Sequence, residues 1–148
     1  MKIKELFVKP NIFILIPIIL VMVFDFVFTL VGQSSSYWKN YNLVNEGDPF
    51  ARFLLVSHWS YFFIGSFVYL VFIIFLLAKL KRPFNIIIAV AVFTIHVWAS
   101  STWLTTIYSK IIGDYTYSTE WCLLIGYFIF LGLITGFFID KWLKHNKL

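Results

Sequence analysis

Four long apolar stretches joined by short polar connectors decide what this chain can fold into. A helix of about 20 apolar residues is what crosses a bilayer core. The stretches fall at residues 12–31, 53–78, 84–108 and 121–139. The first holds one charged residue, Asp25, and the other three hold none. With 61% hydrophobic and 13% charged residues among 148, the chain has more apolar surface than one small core can bury. Lipid is therefore the expected solvent. A soluble enzyme, a disordered chain, a disulfide framework and a nucleic-acid-binding module are excluded. The expected fold is all-α, a four-helix transmembrane bundle forming a single integral membrane domain over residues 1–148.

Charge sets the expected orientation, because Lys and Arg concentrate on the cytoplasmic side. Lys2, Lys4, Lys9, Lys79, Lys81, Arg82, Lys141, Lys144 and Lys147 lie on one side of the four spans, and Lys39, Arg52 and Lys110 on the other. Nine against three places both termini in the cytoplasm of a cell whose plasma membrane the chain crosses. Tyr37, Trp38, Tyr41, Tyr115, Tyr117 and Trp121 flank the outer interface, and Trp142 the inner one. Pro83 is suited to open the third helix, where a missing N–H is harmless. Pro17 is expected to kink the first. That first span is read as a retained helix and not as a signal peptide, being too long for an h-region and interrupted by Asp25. The single cysteine, Cys122, can form no internal disulfide.

Polarity inside the spans is the informative feature. Asp25 is expected about 12 Å below the outer edge and His58 about 9 Å below it, at about 1.5 Å per residue. Ser100 falls at a similar depth on the outward-running third helix, one turn beyond His96. Helical spacing aligns Asp25 with Thr29 and Gly32, His58 with Tyr61, Phe62, Gly65 and Tyr69, and His96 with Ser100 and Trp103. An ionisable group within a span marks a functional site facing the bundle interior. The competing reading is structural: interhelical polar pairs hold bundles together, and Ser and Thr hydroxyls bond their own helix.

The first outer connector, residues 33–52, is longer than a hairpin requires, which is a property of binding loops and lids. Its end reads Asn45-Glu46-Gly47-Asp48-Pro49, with Asp48 suited to cap a helix that Pro49 opens. Glu46 has no role in that turn. Folded back, it would cover the pocket of Asp25 and the histidines. Asp25-x3-Thr29 in a first span followed by Glu46-Gly47-Asp48-Pro49 resembles a family of small uncharacterised prokaryotic multi-pass membrane proteins. These carry an Asp-x3-Thr helix and a Glu-x-Asn-Pro outer loop, with Asn where this chain has Asp48. The likeness covers the first third of the chain. It implies that Asp25, Thr29, Glu46 and Pro49 belong to one site, and it implies no reaction.

Three functions fit such a chain. In the first, Asp25, Thr29, Glu46, His58, Tyr61, His96, Ser100 and Trp103 form an outer-leaflet pocket for a lipid headgroup, a small polar ligand or a partner helix. Membrane lipids, a second copy or another membrane protein are then the partners, and Gly132-x3-Gly136 permits close helix approach. The second is a membrane-embedded hydrolase-like enzyme holding a divalent metal ion as cofactor through Asp25, Glu46, His58 and His96, or using Ser100 with His58 and Asp25. The third is an oligomeric transporter or channel, although polarity stops halfway along the helices.

Overall fold

The computed structural model describes residues 10–80, 84–113 and 116–146, all helix and connecting loop. Lys2, Lys4, Lys9, Lys81, Arg82, Pro83, Tyr115 and Lys147, which enter the charge and boundary arguments above, lie outside the described residues. Five α-helices follow in order: α1 Pro10–Gly32, α2 Pro49–Ser57, α3 Trp59–Lys79, α4 Phe84–Ile112 and α5 Tyr117–Asn146, with a 3-10 turn at Tyr41–Leu43 in the first connector. Four of them (α1, α3, α4 and α5) are long and apolar enough to cross a membrane. The protein is a polytopic helical membrane protein.

Helix α1 is the hub. It packs most extensively against α4, then α5, then α3. Apolar side chains surround it because it has neighbours on most sides: Ile18 and Met22 join Ile73, Leu77, Ala89 and Val92 in one cluster, while Val21 meets Tyr127 and Leu131 of α5 in another. The helix continues unbroken through Pro17. On α3, Phe62, Ser66, Ile73 and Leu77 turn inward, whereas Phe63, Phe67, Val71 and Phe75 form an exposed stripe. Both faces are apolar, as expected where lipid takes the place of water. On α5, a Cβ at Gly132 or Gly136 would meet nothing within 4 Å among the described residues, so this glycine pair packs against none of them.

The second apolar stretch is not one helix. His58 has extended backbone angles, φ −177° and ψ 145°, and separates α2 from α3. Its ring accepts a hydrogen bond from the Ser60 N–H and lies 2.7 Å from the Ser60 hydroxyl. It therefore caps α3, and the expected position of His58 well inside a span is corrected: it stands at a helix end. The break was hidden because Val56 and Trp59 keep the local sequence apolar on either side of it.

The connector between α1 and α3 is a folded cover. Tyr37 is fully buried against Val44, Leu55 and Phe62, and its hydroxyl donates to the Leu55 carbonyl at 3.2 Å. The Gln33 side chain accepts from the Asn45 N–H at 3.0 Å and donates to the Asn45 carbonyl at 3.2 Å, pairing with that backbone as a strand would. Asp48 caps α2, accepting from the Ala51 N–H at 2.7 Å, with Pro49 in the first turn. From α4, the Lys110 ammonium donates to the carbonyls of Gly32 and Gln33, placing a cation at the negative end of α1. Helix α4 then stops at Gly113, whose φ of 82° only glycine adopts without strain.

Candidate functional site

The first-loop end of the bundle holds a partly open cavity of about 380 Å³, within the range of small-ligand pockets. Helix α1 supplies Asp25 and Thr29, one turn apart on one face, with Phe26 beside them. Helix α3 supplies Phe62, Ser66 and Tyr69, and α4 supplies Ile95, His96, Ala99 and Trp103. The folded connector closes the top with Glu46 and Asp48, followed by Phe50, Ala51 and Leu54 of α2.

Its centre is a pair between helices. The His96 Nδ1 lies 2.6 Å from Asp25 Oδ2, across 71 residues of sequence. Both residues are buried, at 7% and 8% exposure, and both line the cavity. In the neutral ring, an Nδ1–H donated to the carboxylate leaves Nε2 as the acceptor. Phe26 packs edge-on to the imidazole at 5.6 Å between centroids, and Tyr69 lies 5.9 Å from it. The ring is thus fixed by a charge-assisted hydrogen bond and by aromatic packing.

Glu46 comes over the cavity from the connector. Its carboxylate accepts from the Asp48 N–H at 2.9 Å. Burial pushes its carboxyl above the ordinary glutamate range; the Asp48 and Gly47 backbone bonds oppose that rise, and the Asp25 and Asp48 charges add to it.

The residues singled out from sequence divide in two. Asp25, Thr29, Glu46, His96 and Trp103 line one cavity. His58, Tyr61 and Ser100 do not. His58 caps α3, and Tyr61 is exposed beside it. Ser100 is fully buried but faces elsewhere: its hydroxyl is 2.6 Å from the His96 carbonyl and 2.7 Å from the Tyr127 hydroxyl. A triad of Ser100, His58 and Asp25 is therefore not assembled. Nor do Asp25, Glu46, His58 and His96 converge as metal ligands: among the described residues no group of three His, Cys, Asp or Glu side chains is placed to hold a metal ion. Pro49 opens α2 beside the cavity without lining it.

Sequence reasoning passed over Ser66 and Gln33, counted Lys110 only as a charge, and took Tyr37 for an interface aromatic, whereas it is fully buried. Ser66 had a signal, since it is a polar residue in an apolar span, one turn from Phe62. Trp103 is more than a wall: a Cβ on Gly32 would come within 2.1 Å of its ring, so the glycine lets α1 and α4 approach. Gly32 and Trp103 lie seven residues beyond Asp25 and His96 respectively, so the two contacts between α1 and α4 fall two turns apart.

No family model matches the sequence, and neither the curated proteins nor the solved structures include a significant match to it.

Proposed function

We propose that this is a plasma-membrane protein with cytoplasmic termini whose outer-leaflet cavity binds a small polar ligand or a lipid headgroup. The observation that carries the reading is the Asp25–His96 pair opening onto a roofed cavity. An Asp near the centre of a spanning helix costs about 2.5–3.5 kcal/mol. A purely structural pair would be sealed among packed side chains; this one borders empty space. The lower core, from Ile18 to Val92, is apolar, which favours binding from one side over passage through the bundle.

One observation favours enzyme chemistry as a second reading. A carboxylate bonded to Nδ1 is the arrangement that prepares a histidine as general base. The side chain that would act as nucleophile is not supplied by Ser100, so the base would serve a water or a hydroxyl of the ligand itself.

Ala99 lines the cavity, and Ala99→Phe would fill it. Native mass spectrometry of protein extracted with its surrounding lipid is expected to show one retained adduct on the wild type and none on Ala99→Phe. Equal adducts on both would refute the reading. For orientation, a reporter fused after Leu148 is expected to behave as cytoplasmic, and activity on the outer side would reverse the assignment.

A further inference from the structure

The cavity is one-sided in charge. Asp25, Glu46 and Asp48 bring three carboxyl groups to it, and no Lys or Arg among the described residues lines it. Its one basic group, the His96 imidazole, is already engaged by Asp25. Each carboxylate has two acceptor oxygens. Glu46 Oε1 accepts from the Asp48 N–H and Asp48 Oδ1 from the Ala51 N–H. An anionic ligand would meet repulsion here, and a cation would be attracted.

A second feature points to a ligand independently of charge. Thr29 and Ser66 line the cavity at 4% and 8% exposure, and neither hydroxyl has a hydrogen-bond partner among the described residues. On α4, by contrast, the Ser100, Thr102 and Thr106 hydroxyls each bond a carbonyl three or four residues back. The Thr29 and Ser66 hydroxyls, one from α1 and one from α3, leave their hydrogen-bonding capacity free for a molecule that enters the acidic cavity.

The kind of cation follows from size and donor count. Three-ligand metal geometry is missing among the described residues, and about 380 Å³ is far more room than a bare ion needs. A primary ammonium group carries three N–H donors, matching a carboxylate and two hydroxyls. Phe26, Phe62 and Tyr69 form the aromatic wall beside them and suit a cation on a carbon chain.

We propose that this cavity binds a primary ammonium group, held by hydrogen bonds to its carboxylates and to the Thr29 and Ser66 hydroxyls. This rests on the ligand-binding reading above and names its ligand class. Glu46, which lines the cavity from the connector, is the carboxyl tested below. The ammonium can come from an ethanolamine phospholipid headgroup or from a free amine. The wall includes exposed Phe50, Tyr69 and Ile95, so apolar surface continues from the cavity to the lipid-facing side.

The test uses the full chain in nanodiscs of glycerol-headgroup phospholipid doped with an ethanolamine phospholipid or with its N-trimethylated choline counterpart of the same acyl chains. A third arm adds free ethanolamine to undoped discs. Retained adducts are read by native mass spectrometry and stabilisation by thermal shift. Wild type is expected to retain the ethanolamine form about tenfold over the glycerol and choline forms, the discrimination of one charge-assisted hydrogen bond. Glu46→Gln, and separately Ser66→Ala, are expected to weaken that retention with folding intact. Stabilisation by free ethanolamine as well would assign a soluble amine, and stabilisation by the lipid alone a headgroup; both support the ammonium site. Equal retention of ethanolamine, choline and glycerol forms, all lost in Ala99→Phe, overturns the ammonium assignment and leaves a ligand cavity. Equal adducts in wild type and Ala99→Phe overturn both.

Discussion

Replacing His96 with leucine is expected to destabilise the detergent-solubilised protein by about 3–5 kcal/mol, the loss found when removing one partner leaves a buried carboxylate uncompensated. Asp25 would remain at 8% exposure with its 2.6 Å partner gone. Asp25→Leu is expected to be milder, about 1–3 kcal/mol, because it strands only an imidazole N–H. The Asp25→Leu/His96→Leu double variant replaces both groups by apolar side chains. It should lose less than the sum of the singles, and less than His96→Leu alone. Unfolding of all four proteins in the same micelle measures the coupling. Strictly additive losses would show that the two side chains do not stabilise one another.

The cover over the cavity gives the second large effect. Tyr37 is fully buried, and its hydroxyl donates to the Leu55 carbonyl. Tyr37→Ala removes a core aromatic, a change worth about 3–5 kcal/mol in a packed interior. That loss is expected to appear as opening of residues 33–57 while the spans stay folded. Lys39 and Arg52 are then the reporters, since trypsin needs an opened backbone at either. Tyr37→Ala should be cut at both positions much faster than wild type. Tyr37→Phe, which keeps the ring and strands one acceptor, should be cut only slightly faster, its loss being about 1 kcal/mol. Equal cleavage of wild type and Tyr37→Ala would mean that the connector is not held down by this residue.

The spans were legible because membrane helices announce themselves by length and apolarity, and four helices of that kind are present. The cap at Asp48 was legible from local chemistry, since an Asp followed by Pro needs no tertiary information to start a helix. The partner of Asp25 was not. Depth along the helices grouped Asp25 with His58 and Ser100, but depth says nothing about which way a side chain points around its helix. Ser100 shares the depth and faces Tyr127 of α5. His96 sits one turn deeper and meets Asp25 because α4, and not α3, is the main neighbour of α1. Helical spacing aligned His96 with Ser100 on α4, but neither periodicity nor charge encodes which helix lies beside α1. His58 was misplaced for a related reason: hydropathy averaged over a span cannot see one residue with extended backbone angles. Gln33 had no sequence signal and Tyr37 read as an interface aromatic, because their roles exist only once the connector folds back.

The most direct test is a crystal structure of the wild-type protein grown from a lipidic phase. The expected result is non-protein density in the cavity within hydrogen-bond distance of the Thr29 and Ser66 hydroxyls, with His96 still bonded to Asp25 and Glu46 above it. A cavity collapsed onto its own side chains, or holding only water in contact with those hydroxyls, would contradict the claim that this site binds a ligand.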